Sequence, residues 1–131
     1  MYDRELVLEI ASQIYQATKT ILKRFATVRS PNDFTESDAG REKLDGICMQ
    51  LIAIGEGLKN LDKVSGHSLL PKYPQVEWKK AKGLRDIISH HYFDVNAEAI
   101  FEVCKTHIPI LKATIRELID DEIKLSEVAN R

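Results

Sequence analysis

Three residue types able to do acid–base chemistry on a phosphate crowd into one stretch, Lys82-Gly-Leu-Arg-Asp-Ile-Ile-Ser-His-His-Tyr-Phe-Asp94. Arg85, His90 and Tyr92 read as Arg-x4-His-x-Tyr. An imidazole takes or gives a proton near neutral pH, and a guanidinium presents a rigid fork of donors to an anion. Cutting RNA without a metal needs a base for the 2′-hydroxyl proton, an acid for the 5′-oxygen and a cation for the charged phosphorane. Arg85 and His90 suit those roles, but one chain offers one good histidine. On a regular helix the step from 85 to 90 turns about 500°, leaving the two side chains about 140° apart. They can share a site if the helix ends near Ser89 and His90 swings back across its last turn. They can also share one if a second copy of the chain lends its own pair. From residue types alone the plainer reading is the stronger: Arg85 bridges helices and His90 is a satisfied helix-end residue.

Other chemistries fare worse. His90 and His91 are neighbours and point in different directions on a helix, so they are poor partners for one ion. Asp86 and His90 stand four apart, and Asp86 more plausibly orients His90 or pairs with a nearby cation than binds metal. No metal site and no cofactor are expected. Ser89 has no nucleophile elbow around it. Gly55-Glu-Gly57 lies inside a helical pattern and follows no strand, so it is no nucleotide loop and points instead to close helix packing. His67 reads as a solvated loop residue.

The elements that must position the motif are helical. Leu6, Ile10, Ile14, Ala17, Ile21 and Phe25 form the stripe of a helix over 3–27. Lys19, Lys23 and Arg24 read as its solvated side. Ser30-Pro31-Asn32-Asp33 is turn chemistry, and Ser37 or Asp38 can cap a second helix over 38–63. Leu44, Ile47, Cys48, Leu51, Ile54, Leu58 and Leu61 make that helix's stripe. A loop follows through Pro71-Lys-Tyr-Pro74, with Tyr73 its expected anchor. A third helix runs from Glu77 to about Ser89, and Lys79, Lys80, Lys82 and Arg85 give it the densest positive charge in the chain. Asn96 is a credible cap for a last segment over 97–128, which Pro109 must kink or divide. The expectation is one all-α domain over 1–131, a mostly antiparallel bundle of four or five helices.

Bulk properties agree with this. The chain has 131 residues, enough for one core, with 44% hydrophobic and 30% charged residues, as in ordinary globular proteins. Its net charge of −1 carries no global nucleic-acid signal, so a polyanion would need a local patch. No apolar run is long enough to cross a membrane. The N-terminus enters amphipathic sequence at once, so a cytoplasmic protein is expected. Cys48 and Cys104 fall on apolar stripes and read as buried free thiols.

Arg85, His90 and Tyr92, preceded by Tyr73-Pro74 and Trp78 and followed by Asp94-Val-Asn96, resemble the HEPN superfamily. More narrowly the chain is similar to the HepT-like (DUF86) toxins, best from about residue 44 to 118. The resemblance implies a homodimeric four-to-five-helix bundle with both motifs lining one cleft. It implies a metal-independent endoribonuclease, the toxin of a type VII HEPN–MNT toxin–antitoxin module, that forms a 2′,3′-cyclic phosphate. Arg85 and His90 would be the catalytic pair, Asp86 a supporting residue, and Lys79 and Lys82 weak RNA contacts. Tyr92 would receive AMP from an MntA-like nucleotidyltransferase antitoxin. The alternative is a non-catalytic helical partner subunit of a nucleotidyltransferase that supplies substrate or nucleotide contacts.

Overall fold

The computed structural model describes residues 2–90 and 92–129, the side chains of His90 and Tyr92 excepted. Among the described residues every regular element is helical. α1 spans Arg4–Phe25 and begins where the Asp3 carboxylate accepts from the Leu6 N–H at 3.1 Å. α2 spans Asp38–Val64 and begins on Ser37, whose hydroxyl accepts from the Gly40 N–H at 3.0 Å. These side-chain oxygens satisfy N–H groups that a helix start leaves without partners. A short 3₁₀ turn, Pro31–Phe34, lies between them and buries Phe34 completely.

The pairing of α1 and α2 is antiparallel. Arg24 Nη1 donates to the Gly46 carbonyl near one end, and Gly57 faces Ile14 further along. α6, Ile108–Ala129, packs on the other side of α1, also antiparallel. Tyr2 donates to Glu122 at 2.7 Å, and Arg116 lies over the Tyr15 ring. The core therefore lies between α1, α2 and α6, with Ile14, Ile21, Ile47, Leu51, Ile54, Leu58, Ile115 and Leu118 buried. Phe25 closes one end, set edge-on to Phe101 and tilted against Phe34. Within the α1 stripe Val7 is fully buried, while Leu6 is exposed.

Two elements differ from the sequence expectation. The third helix is two pieces, α3 (Trp78–Lys82) and α4 (Leu84–His90), divided by a turn at Gly83. The Gly83 N–H bonds to both the Lys79 and Lys80 carbonyls, which tightens the end of α3 before α4 sets off. The last segment is one unbroken helical run with a π turn inside it. α5 (Ala97–Glu102) runs into a π turn, Val103–His107, and then directly into α6. The Ile108 N–H bonds back to the Val103 carbonyl, one residue further than in an α-helix. That wider turn accommodates Pro109, which has no N–H to give and would crowd the carbonyl of the preceding turn.

The loop after α2 is held down as expected. Tyr73 is buried and donates to Asp121 of α6 at 2.7 Å, while the Trp78 indole N–H donates to the Tyr73 carbonyl at 2.9 Å. The start of α3 is thereby tied to α6. No helix among the described residues is long and apolar enough to cross a membrane.

Candidate active site

Gly55 decides where the motif sits. A methyl group there would lie 3.2 Å from the Arg85 amide nitrogen, 3.4 Å from the Lys82 carbonyl oxygen and 3.5 Å from that of Ala81. All three are backbone atoms, so α2 and the α3–α4 junction touch main chain to main chain at this point. A Cβ there would sit tighter than side chains usually do against the Arg85 nitrogen, so glycine suits the approach.

Around the contact runs a ladder of ion pairs. Glu56, Lys59 and Asp62 stand at steps of three along α2, and each meets a charge from α3 or α4. Glu56 Oε1 lies 3.0 Å from Arg85 Nε. Lys59 Nζ lies 3.6 Å from Asp86 Oδ2. Lys82 Nζ donates to Asp62 Oδ2 at 3.0 Å, and His67 Nδ1 donates to the same oxygen at 2.9 Å. Lys80 pairs with Glu77 at 2.9 Å within α3. The cationic face is thus largely compensated, whereas Lys79 has no ion pair among the described residues. Arg85 and Glu56 are about half exposed, so their pair stabilises by at most about 1 kcal/mol. The contact is made at Nε, and half of the side chain stays exposed to solvent.

Asp62 is the one nearly buried acid in the ladder. Burial pushes its carboxyl upward, but the hydrogen bonds and charges of His67 and Lys82 outweigh this and hold it below the ordinary carboxylate range. His67 is not merely a solvated loop residue. Its backbone is left-handed at φ 61°, following Gly66 at φ 63°, and its N–H donates to the Asp62 carbonyl at 2.8 Å. A non-glycine residue holds that conformation only against a cost, which the Asp62 contacts offset.

Arg85 and Asp86 of the motif are exposed on α4, and Asp86 pairs with Lys59. α4 ends at His90, within a residue of the expected Ser89, and a 3₁₀ turn, Tyr92–Asp94, follows. The side chains of His90 and Tyr92 and the whole of His91 lie outside the described residues. Lys79 is exposed, and Lys82 is partly covered on Asp62. Glu56 belongs to none of the sequence motifs. Its only signal is the Glu-x-x-Lys-x-x-Asp spacing on the side of α2 that carries Gly55.

Cys48 and Cys104 are buried free thiols. Burial raises Cys48 to about 11, helped by Asp45, and raises Cys104 to about 12, helped by Cys48. Neither is a nucleophile at neutral pH.

Among the described residues the regular elements are all helical, and Arg85 stands half exposed on a short fourth helix at the head of Arg-x4-His-x-Tyr, which defines a small helical-bundle protein. The profile of the ribonuclease HepT-like family matches residues 8–118, and the chain belongs to that family. It is 36% identical over 92 residues to a Methanocaldococcus jannaschii protein named "Putative RNase MJ0127", covering 69% of this chain and 73% of that one. It is 38% identical over 69 residues to "Putative RNase TTE0752" of Caldanaerobacter subterraneus subsp. tengcongensis, covering 53% of this chain and 58% of that one. A longer match, 25% identical over 115 residues, covers 88% of this chain and 89% of "Putative RNase MJ1380" of M. jannaschii. No solved structure matches the chain significantly.

Proposed function

We propose that the protein is a metal-independent endoribonuclease whose active site is completed by two chains. The carrying observation is membership of the ribonuclease HepT-like family together with an Arg85 whose side chain is half exposed at the head of the motif. In this reading one His90 takes the 2′-hydroxyl proton as that oxygen attacks phosphorus. The bond from phosphorus to the 5′-oxygen breaks, and a second His90 protonates the leaving oxygen. The products are a 2′,3′-cyclic phosphate and a 5′-hydroxyl, and Arg85 bears the charge that builds on the phosphorane. Helical spacing from Arg85 to His90, where α4 ends, sets the two positions about 140° apart, and in this reading a second chain supplies the missing partner. Asp86 is the supporting residue next to Arg85, within 3.6 Å of Lys59.

The second chain has an apolar surface to meet beside the motif. Ile87 of α4 is 60% exposed. Met49, Ile52, Ile88 and Phe93 line an adjoining recess of about 520 Å³, at which Phe93 is 99% exposed. We assign this face to the homodimer. Tyr92, at the start of the following turn, is the proposed target of AMP transfer by an MntA-like nucleotidyltransferase. AMP would place a phosphate and a base where substrate must bind and so silence a toxin of the type VII HEPN–MNT kind. The protein then works in the cytoplasm with that antitoxin and an RNA substrate as partners.

Purified wild type, Arg85→Ala and His90→Ala are to be compared on labelled RNA in excess chelator. Cleavage to cyclic-phosphate ends by wild type alone supports the assignment, and three equal activities remove it. One observation favours a second reading: Arg85 is already engaged by Glu56, as in a helical partner subunit of a nucleotidyltransferase that binds without cutting. A stable complex with the nucleotidyltransferase, no cleavage of any RNA and no AMP mass increment on the Tyr92 peptide would establish that reading.

A further inference from the structure

A recess of about 410 Å³ opens beyond Arg85 on the same seam, lined by Lys59, Asp62, His67, Lys79, Lys82 and Gly83. The proposed cleavage chemistry uses none of these groups. Three ammonium groups and an imidazole face one carboxylate there. Asp62 Oδ2 receives both the Lys82 ammonium and the His67 Nδ1–H, so one oxygen fixes the position of two potential ligand contacts. With Nδ1–H engaged on Asp62, the ring can bind a phosphate oxygen only as the imidazolium, whose Nε2–H then donates, and 74% of the His67 side chain is exposed. The left-handed backbone at 67 and the bond from its N–H to the Asp62 carbonyl hold the ring over the recess instead of letting the loop run on. Lys79 adds an exposed, unpaired ammonium among the described residues. Lys59 lies 3.6 Å from an exposed Asp86, a contact that an arriving anion can replace at little cost.

We infer that this recess is a subsite for the RNA backbone, binding a phosphate that flanks the scissile one through Lys79, Lys82, Lys59 and the His67 imidazole. The inference rests on the ribonuclease reading and extends it to how the substrate is held. The geometry suits a strand better than an isolated ion. Glu56 and Asp62 lie six residues apart on α2, about 9 Å along its axis, so Arg85 and the recess line one continuous seam. The recess is also open, as a passing backbone requires. Contacts of this type read charge rather than sequence, so they contribute affinity and register without base preference.

The test is binding of a fluorescein-labelled single-stranded 2′-O-methyl oligoribonucleotide, followed by anisotropy across a salt series. Wild type is compared with Lys79→Gln, Lys79→Gln/Lys82→Gln, His67→Asn and, as a control on a distant helix, Lys23→Gln. Asparagine tolerates the left-handed backbone, so His67→Asn removes the imidazole without forcing the loop. Each lysine charge removed from the recess should lower the slope of log affinity against log salt by about 0.7. His67→Asn should weaken binding several-fold, and Lys23→Gln should leave slope and affinity as in wild type. Unmodified RNA cleavage by wild type is measured in parallel. Cleavage by wild type with unchanged slopes in the recess variants overturns the subsite and leaves the ribonuclease reading standing. Lowered slopes in the recess variants, with a wild type that never cleaves, support the subsite and remove the ribonuclease reading. Wild type that does not bind the oligonucleotide overturns the subsite, and the parallel cleavage assay then decides the ribonuclease reading by itself.

Discussion

Arg85 reaches the surface with its Nε already on a carboxylate, and that pairing shapes what its mutations should do. Glu56→Gln keeps the shape and removes the charge. The guanidinium then keeps a neutral acceptor without the ion pair, which is worth at most about 1 kcal/mol at such an exposed position. The expected outcome is near wild-type thermal stability with altered cleavage, seen by comparing melting with initial rates on labelled RNA. Asp62 behaves differently because it is nearly buried and serves two partners. Its folded-state pKa is depressed, so the stability it contributes is present above the ordinary carboxylate pKa of about 3.9 and fades as pH falls through the lower folded value. Urea denaturation from pH 3 to pH 7 should therefore show wild type more stable than Asp62→Asn at the upper end, with the gap narrowing toward the acid end. The two thiols work in the opposite sense. Their raised values mean that their contribution is complete below about pH 9 and is lost as pH climbs toward about 11 for Cys48 and about 12 for Cys104.

At the scale of elements, the contact between α2 and the α3–α4 junction carries the most weight. Gly55→Ala gains up to about 1 kcal/mol of helix propensity, but its methyl meets three backbone atoms between 3.2 and 3.5 Å away. Main chain gives way less easily than a side chain, so overpacking of about 1–3 kcal/mol should outweigh the gain. A lower urea midpoint together with lower RNA cleavage is expected, because the displaced backbone atom belongs to Arg85. The Tyr73 anchor is a milder case. Tyr73→Phe removes the 2.7 Å bond to Asp121 but keeps the buried ring, for a loss of about 1 kcal/mol readable as a small fall in melting temperature.

At the scale of the molecule, the proposed chemistry demands a second imidazole and a second guanidinium. Two exposed apolar side chains, Ile87 and Met49, stand near the motif and contribute little to this chain's own core. Ile87→Asp and Met49→Asp should therefore leave the fold's stability within about 0.5 kcal/mol, as surface changes commonly do. They should shift sedimentation toward monomer and abolish cleavage together. A monomeric variant that cleaves as well as wild type would contradict a site shared between chains.

Much of this protein is determined locally and is legible one residue at a time. The helical periods of α1 and α2, the Ser37 and Asn96 caps, the burial of both thiols and the Tyr73 anchor all follow from side-chain type and spacing, because helix formation and capping act within a few residues. The Arg-x4-His-x-Tyr motif is legible for the same reason. Three things were decided only by the folded chain. Gly83 divides the third helix because its N–H serves two carbonyls at once. Pro109 is absorbed by a π turn because the apolar positions on both sides must still reach one core. Glu56 and Asp62 meet Arg85 and Lys82 because α2 and the α3–α4 junction come into backbone contact at Gly55, and the pairing of residues distant in sequence is a matter of tertiary distance that no local pattern encodes.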